Sequence, residues 1–257
     1  MPRIGIISGS GLESLLEGSK LVHVETPYGT APPISVGLIG HEEIAFLPRH
    51  GPMHDLPPHK VNYRANLHSL KQTGVERIIA TNAVGAINST YSPGELAIPV
   101  DILDMTKSRT TTYFDASPVT HIDVTEPYCP ELRRILMDSC QALQVKAESK
   151  AILAATEGPR YETPAEIRML QKLGADLVGM TGSPEVFLAR ELEICYSSLC
   201  FVSNMAAGMQ ERLSAVEVVQ VGKKVVPSLL EVIRRTVEKI PVKRTCSCGK
   251  AIQHAQV

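Results

Sequence analysis

Short apolar runs recur along the chain, and most break off at a small or polar residue: "RIGIISG" (3–9), "EIAFLPRHG" (43–51), "RIIATNAVGAI" (77–87), "DILDMTKS" (101–108), "KAILAATEG" (150–158), "LVGMTG" (177–182) and "CYSSLCFVSNMAAG" (195–208). Each reads as a buried strand. Between several of them the apolar spacing changes to about 3.6 and predicts helices. "VNYRANLHSLKQTG" closes on Gly74, and "CPELRRILMDSCQALQV" follows Pro130. "TPAEIRMLQKLG" has Thr163, Pro164 and Glu166 placed for a capping box, and "SPEVFLARELEI" repeats the pattern with Ser183, Pro184 and Glu185. The last long helix follows Ser214, with Glu217 at its third position and Pro227 inside it. Strands that alternate with helices predict an α/β fold with a largely parallel sheet, whose ligands bind beyond the carboxyl ends of the strands.

The 257 residues suffice for one full core, and a single domain is expected over 1–240. The tail, 241–257, lacks periodicity and is expected to be exposed. The formal net charge is -1, with no basic block, which argues against nucleic acid. No apolar run approaches the roughly 20 residues of a membrane helix, and "MPRIGIISGSG" reads as a first strand instead of a signal peptide. Four scattered cysteines suit a reduced, cytoplasmic protein. Cys246 and Cys248 form a "CSC" pair in the tail. With only the distant His254 beside them they make a thin metal site, so no metal is expected. A disulfide or plain thiols, dispensable for catalysis, are the expectation.

The strand ends carry the candidate chemistry. "SGSGL" (8–12) has Gly9 and Gly11 but Ser14 where a dinucleotide fingerprint needs its third glycine. It is either an anion cradle, with Ser10, or an ordinary turn. Arg49 and His50 in "LPRHG" suit a phosphate or a surface pair. Asn82, Ala83 and Gly85, then Thr181, stand at two further strand ends. Together these groups suggest one phosphate held by hydroxyls, amides and an arginine. No acidic cluster accompanies them, so magnesium-dependent phosphoryl transfer is disfavoured. In "EGPRYET" (157–163), Tyr161 can stack on a flat ring while Glu162 accepts a hydrogen bond from that ring's edge.

These motifs, with "PPHKVNYRANLHSLKQTGV", "TNAVGAIN", "THIDVTEPYCPELR", "GPRYETPAEIRMLQKLGADLVGMTGSPEVFLAREL" and "VSNMAAG", resemble the trimeric purine nucleoside phosphorylase and methylthioadenosine phosphorylase family from residue 3 to about 235. The resemblance implies a three-layer α/β sandwich around a mixed, partly barrel-like sheet. It implies homotrimers or dimers of trimers that use inorganic phosphate as co-substrate, with no other cofactor and no metal. By resemblance Ser10, Arg49, His50, Asn82, Ala83 and Thr181 hold phosphate. Met180 lies under the ribose, Tyr63 near the sugar, and Tyr161 stacks on the base. Asn204, Met205 and Ala206 line the base site, and His121 reaches the neighbouring subunit's site.

Glu162 and Asn204 set the expected base. Adenine-type members carry a small hydroxyl residue at the first position and aspartates at 204 and 206; this chain has Asn204 and Ala206. A 6-oxopurine offers N1–H to Glu162 and O6 or N7 to Asn204. Adenine offers a bare N1, which sets two acceptors face to face. Ribonucleoside-cleaving members place a histidine at the start of the last helix; here Ala215 or Val216 fills the position, with Val219 one turn on. An apolar wall suits a 5′-methylthio group. The resemblance therefore implies phosphorolysis of S-methyl-5′-thioinosine and related 6-oxopurine nucleosides. Asn204 and Glu162 assist the leaving base, and His50 or His54 tunes the phosphate. An adenine-specific methylthioadenosine phosphorylase is the alternative. A non-catalytic purine sensor is disfavoured, because it has no need of a phosphate set.

Overall fold

The computed structural model describes residues 1–9 and 16–256, so Ser10 lies outside the described residues. In chain order the strands are β1 (Ile4–Ser8), β2 (Glu17–Val22), β3 (Glu25–Thr26), β4 (Gly29–Thr30), β5 (Ile34–Ile39), β6 (Glu42–Pro48), β7 (Arg77–Ala86), β8 (Leu96–Ala97), β9 (Asp101–Met105), β10 (Ala147–Glu148), β11 (Ile152–Thr156), β12 (Leu177–Gly179) and β13 (Cys195–Met205). The helices are α1 (Tyr63–Gln72), α2 (Pro130–Ala142), α3 (Pro164–Lys172), α4 (Glu185–Glu191) and α5 (Ala215–Lys239).

An 11-stranded mixed sheet runs β10-β8-β13-β7-β1-β6-β5-β2, and β9, β11 and β12 join it through β7. Its centre is parallel: β1 pairs with β6 and β7, and β13 pairs with β7. The β5–β2 wing is antiparallel and was not legible, since β2 is exposed almost throughout and shows no alternation. The period of two divides each central strand between two cores. Ile44 and Phe46 of β6 pack with Leu132 and Leu136 of α2 and Val232 of α5. Ala45 and Leu47 face the other way, with Leu67 of α1 and Val186 of α4. Helices thus cover both faces, which makes the three layers.

The position of the site follows from a fork. On one edge, β7 pairs with β1 over Arg77–Ala80 and then, antiparallel, with β12 at Gly85 and Ala86. Among the described residues Thr81–Val84 have no strand partner on that edge. The sheet splits there without closing into a barrel among the described residues, and a cavity opens at the split.

Most helix signals act as expected. Asn62 Oδ1 accepts from the Ala65 N–H at 3.1 Å, and Gly74 ends the α1 turn with φ of +95°, which glycine adopts without a Cβ penalty. Thr163 and Glu166 form the capping box of α3. At α4 the expectation fails. Pro184 is the N-cap, no side chain caps the helix, and Glu185 is buried in an ion pair. The tail also departs from expectation, because it packs instead of standing exposed. Arg244 Nη1 donates to Glu193 O at 2.8 Å, Thr245 Oγ1 donates to Glu131 at 2.8 Å, and the His121 N–H donates to Ala255 O at 2.8 Å. Cys248 is buried.

Candidate active site

A cavity of about 840 Å³ lies at the fork. Ser8 and Gly9 line it at the end of β1, Arg49 and His50 after β6, and Thr81 to Val84 from the unpartnered edge of β7, with Gly85 next to them. Met180 and Thr181 follow β12, and Ser203 and Asn204 come from the end of β13. Tyr161 and Glu162 precede α3, and one face of α5 closes the remaining side.

Arg49 is 1% exposed. Its Nε and Nη2 grip both oxygens of Glu185, the latter at 2.9 Å, and its Nη1 donates to Thr81 O at 2.9 Å. Burial works against the charge, but the Glu185 carboxylate outweighs it and the pKa rises. Tyr196 Oη donates to the same carboxylate at 2.8 Å. Three of the five guanidinium N–H groups are thereby used, and two remain for an anion. Sequence spacing gave no signal for Glu185, which stands 136 residues from Arg49. The demand that a buried arginine find a carboxylate is the physical clue.

His50 Nδ1 lies 2.8 Å from Leu56 O. A carbonyl only accepts, so Nδ1 carries the proton and Nε2 is the acceptor of the neutral ring. Burial, then the Arg49 charge, pushes the His50 pKa down to about 4, so the ring is neutral near pH 7. Thr181 Oγ1 donates to Asn82 Oδ1 at 2.8 Å, while Asn82 Nδ2 donates to Ser198 Oγ. Ala83 joins these groups on the wall.

Glu162 Oε1 accepts from Thr156 Oγ1 at 2.6 Å. Arg160, the cation nearest in sequence, is taken by both oxygens of Glu166 at 2.7 and 2.8 Å. No ion pair neutralises Glu162 among the described residues, and its second oxygen has no hydrogen bond there. Asn204 is turned to the cavity by a bulge at Ser203 that shifts the β13–β7 register. Its Oδ1 is 2.6 Å from Ser203 Oγ and its Nδ2 donates to Met205 O at 2.8 Å, which leaves one amide N–H. A Cβ on Gly85 would sit 3.2 Å from that Nδ2, so the bare glycine makes room for the amide. Gly158 does the same for Met180, whose sulfur would lie 2.7 Å from a Cβ there.

Arg49, His50, Asn82, Ala83, Tyr161, Glu162, Met180, Thr181, Asn204, Ala206, Ala215 and Val219 thus share one cavity. Tyr63, Met205, Val216 and His121 do not line it. Tyr63 is buried, with its hydroxyl donating to Pro58 O at 2.8 Å and accepting from Arg109 at 3.1 Å. The Met205 backbone N–H donates to Gln210 Oε1. Val216 points outward at 64% exposure, and His121 is exposed near the tail. Between Ala215 and Val216, the wall residue is Ala215. Val218, Gly222 and Val226 extend the wall, with Phe201 beside Gly222. Their spacing was available in the helical periodicity of "SAVEVVQVGKKVV".

The family model of the Phosphorylase superfamily matches residues 3–238. The chain belongs to the phosphorylase superfamily. Within this superfamily it is 49% identical over 259 residues to the probable S-methyl-5′-thioinosine phosphorylase of Methanopyrus kandleri, covering 100% of both chains. It is 46% identical to the 6-oxopurine nucleoside phosphorylase of Pyrococcus furiosus over 99% of both. A methylthioadenosine phosphorylase from an antarctic soil metagenomic library superposes with a TM-score of 0.95 at 35% identity, covering 100% of this chain and 92% of that one. The resemblance drawn from the motifs and the α/β sandwich expected from it both hold.

Proposed function

We propose that the protein cleaves 6-oxopurine nucleosides with inorganic phosphate, S-methyl-5′-thioinosine foremost, to free purine and the sugar 1-phosphate. The observation that carries this reading is Glu162, a carboxylate with one oxygen committed to Thr156, no ion pair among the described residues, and Asn204 in the same cavity. That edge suits a ring bearing N1–H. A bare adenine N1 would meet a second acceptor, and such mismatches cost several kcal/mol, or roughly 100-fold.

The two spare N–H groups of Arg49, the Asn82 and Thr181 pair and the Ala83 backbone form the phosphate cradle; Ser10, given the same role by resemblance, lies outside the described residues. Thr181 must swing its hydroxyl proton from Asn82 to the anion. His50 Nε2 accepts a hydrogen bond from a protonated phosphate oxygen, or donates one once it is itself protonated. A phosphate oxygen then bonds to C1′ as the C1′–N9 bond breaks. The bond's electron pair leaves with the purine, which takes up a proton by way of water. The dianion stabilises the cationic sugar, so positioning and electrostatics carry the rate and no covalent nucleophile is needed. Asn204 donates toward the charge growing at N7 and O6. Ala215, Val218 and Val219 give the 5′ substituent an apolar wall.

Among the described residues no helix is long and apolar enough to cross a membrane. We take the protein to work in the cytoplasm as a homotrimer or dimer of trimers, with His121 serving a neighbour's site. The deciding experiment compares kcat/KM for methylthioinosine, inosine, guanosine and methylthioadenosine, with and without phosphate. Methylthioinosine should lead and phosphate should be obligatory. A lead for methylthioadenosine, the relative-based alternative, or undiminished cleavage without phosphate would overturn the reading.

A further inference from the structure

The packed tail brings together four cysteines that sequence scatters. Cys129, Cys195, Cys246 and Cys248 place their sulfur atoms all within 4.8 Å of one another. All four stand as free thiols, and the Cys195 and Cys246 sulfurs are 3.3 Å apart. A tetrahedral zinc with Zn–S bonds of about 2.3 Å needs its sulfurs roughly 3.8 Å apart, which falls within this spread.

Each ligand is held by backbone. Cys129 is the N-cap of α2, and its N–H donates to Tyr196 O at 2.8 Å. Cys195 opens β13, and its N–H donates to Glu76 O at 2.9 Å. Cys246 and Cys248 come from the tail, where a 3-10 turn over Cys248–Lys250 bends the chain so that both sulfurs reach one point. Thr245 on Glu131 and Arg244 on Glu193 fix the approach from either side.

Charge gives a second, independent observation. A zinc bound by four thiolates carries a net charge of −2. Arg77, paired in strand register with Cys195, is fully buried, and none of its guanidinium nitrogens makes a hydrogen bond among the described residues. Its nearest carboxylates are at 3.7 and 4.0 Å. Arg244, two residues before Cys246, donates its Nη1 to Glu193 O, two residues before Cys195. Two guanidinium groups therefore stand where a doubly negative centre needs compensation.

We propose that these four cysteines bind one zinc ion per chain, a structural site that staples the C-terminal tail to the amino ends of α2 and β13. Four thiols give up four protons to solvent and form four Zn–S bonds, with no change of oxidation state. An all-sulfur donor set selects a thiophilic ion over calcium or magnesium. No ligand position is left open for substrate, so the role is to hold the fold.

The test uses the full chain, expressed without a metal-binding tag and purified under reductant without chelator. Elemental analysis should find about one zinc per chain, and alkylation after denaturation with chelator should label all six cysteines. Chelator should lower the midpoint of thermal unfolding by roughly 5 °C or more. The C246S/C248S protein should bind no zinc, while the C140S control should keep it. If the double variant does not fold, the wild-type stoichiometry and alkylation still decide. A metal-free chain, a different stoichiometric metal, or two labelled cysteines with four lost to disulfides would each overturn the proposal.

Discussion

The two ends of β13 differ in kind. At its carboxyl end, Asn204 enters a cavity where polar groups are held by protein partners yet keep hydrogen-bonding capacity spare: Glu162 on Thr156, Asn204 on Ser203 and Met205, Arg49 on Glu185 and Thr81. At its amino end, about 30 Å away along the extended strand, Cys195 sits in a closed knot of four sulfurs with its N–H bound to Glu76 O. The open end retains hydrogen-bonding capacity for ligands that come and go. The closed end arranges its ligands for a permanent occupant. Both depend on long-range contacts that bring distant segments to one strand, but only the first sits where parallel strands end and the sheet splits.

The strongest way to break this contrast is at Arg49. Arg49→Ala leaves Glu185 buried and unpaired, so stability should fall by about 3–5 kcal/mol in urea unfolding. The isosteric Glu185→Gln should fold, yet raise the apparent phosphate constant at least roughly 10-fold by releasing the guanidinium. An unchanged phosphate constant in that variant would show that Arg49 is purely structural.

Glu162→Gln comes next. It exchanges an acceptor for an amide and should lower kcat/KM for methylthioinosine by about 10- to 150-fold, the size of one charge-assisted bond of about 1.5–3 kcal/mol. Asn204→Asp should narrow the gap between methylthioinosine and methylthioadenosine. If both variants keep the wild-type ratio, the base is not read at this edge.

The 5′ wall supplies a finer test with a built-in control. Ala215→His should move preference from methylthioinosine toward inosine by a factor of about 10, the worth of one added hydrogen bond and one lost apolar contact. Val216→His, on the outward side of the same turn, should leave the ratio unchanged. Equal effects from the two would break the assignment of Ala215.

The smallest expected effect concerns pH. His50 is held near 4 in the fold, whereas an unfolded histidine takes its proton near 6.5. Between those values the unfolded chain binds more protons, so stability should decline as pH falls from about 6.5 to 4. His50→Asn should flatten that part of the curve of unfolding midpoint against pH. Bound phosphate should raise the His50 pKa, read by NMR of its ring protons, because an anion favours the charged ring. A histidine indifferent to phosphate would sit outside the cradle.

Local sequence pattern determined most of the strand runs, the capping box of α3, and the α/β class, because those signals depend on neighbours a few residues apart. The strand-end residues Arg49 and Thr181 were legible for the same reason, since each follows the end of an apolar run; Asn82, expected at a strand end, lies inside β7 where the sheet forks. Local pattern did not reveal that Glu185 leaves its helix end to clamp Arg49, since that contact spans 136 residues. Tyr63, placed near the sugar by resemblance, does not line the cavity and binds Pro58 O and Arg109 through its hydroxyl, and the choice between Ala215 and Val216 stayed open until the helix phase against the cavity was fixed. Local pattern took the tail for a loose end because hydrogen bonds and sulfurs anchor it, and those leave no apolar period. Only the tertiary fold closes loops long enough to bring Cys129 and Cys195 to Cys246 and Cys248, and that closure is decided by the packing of the whole sheet.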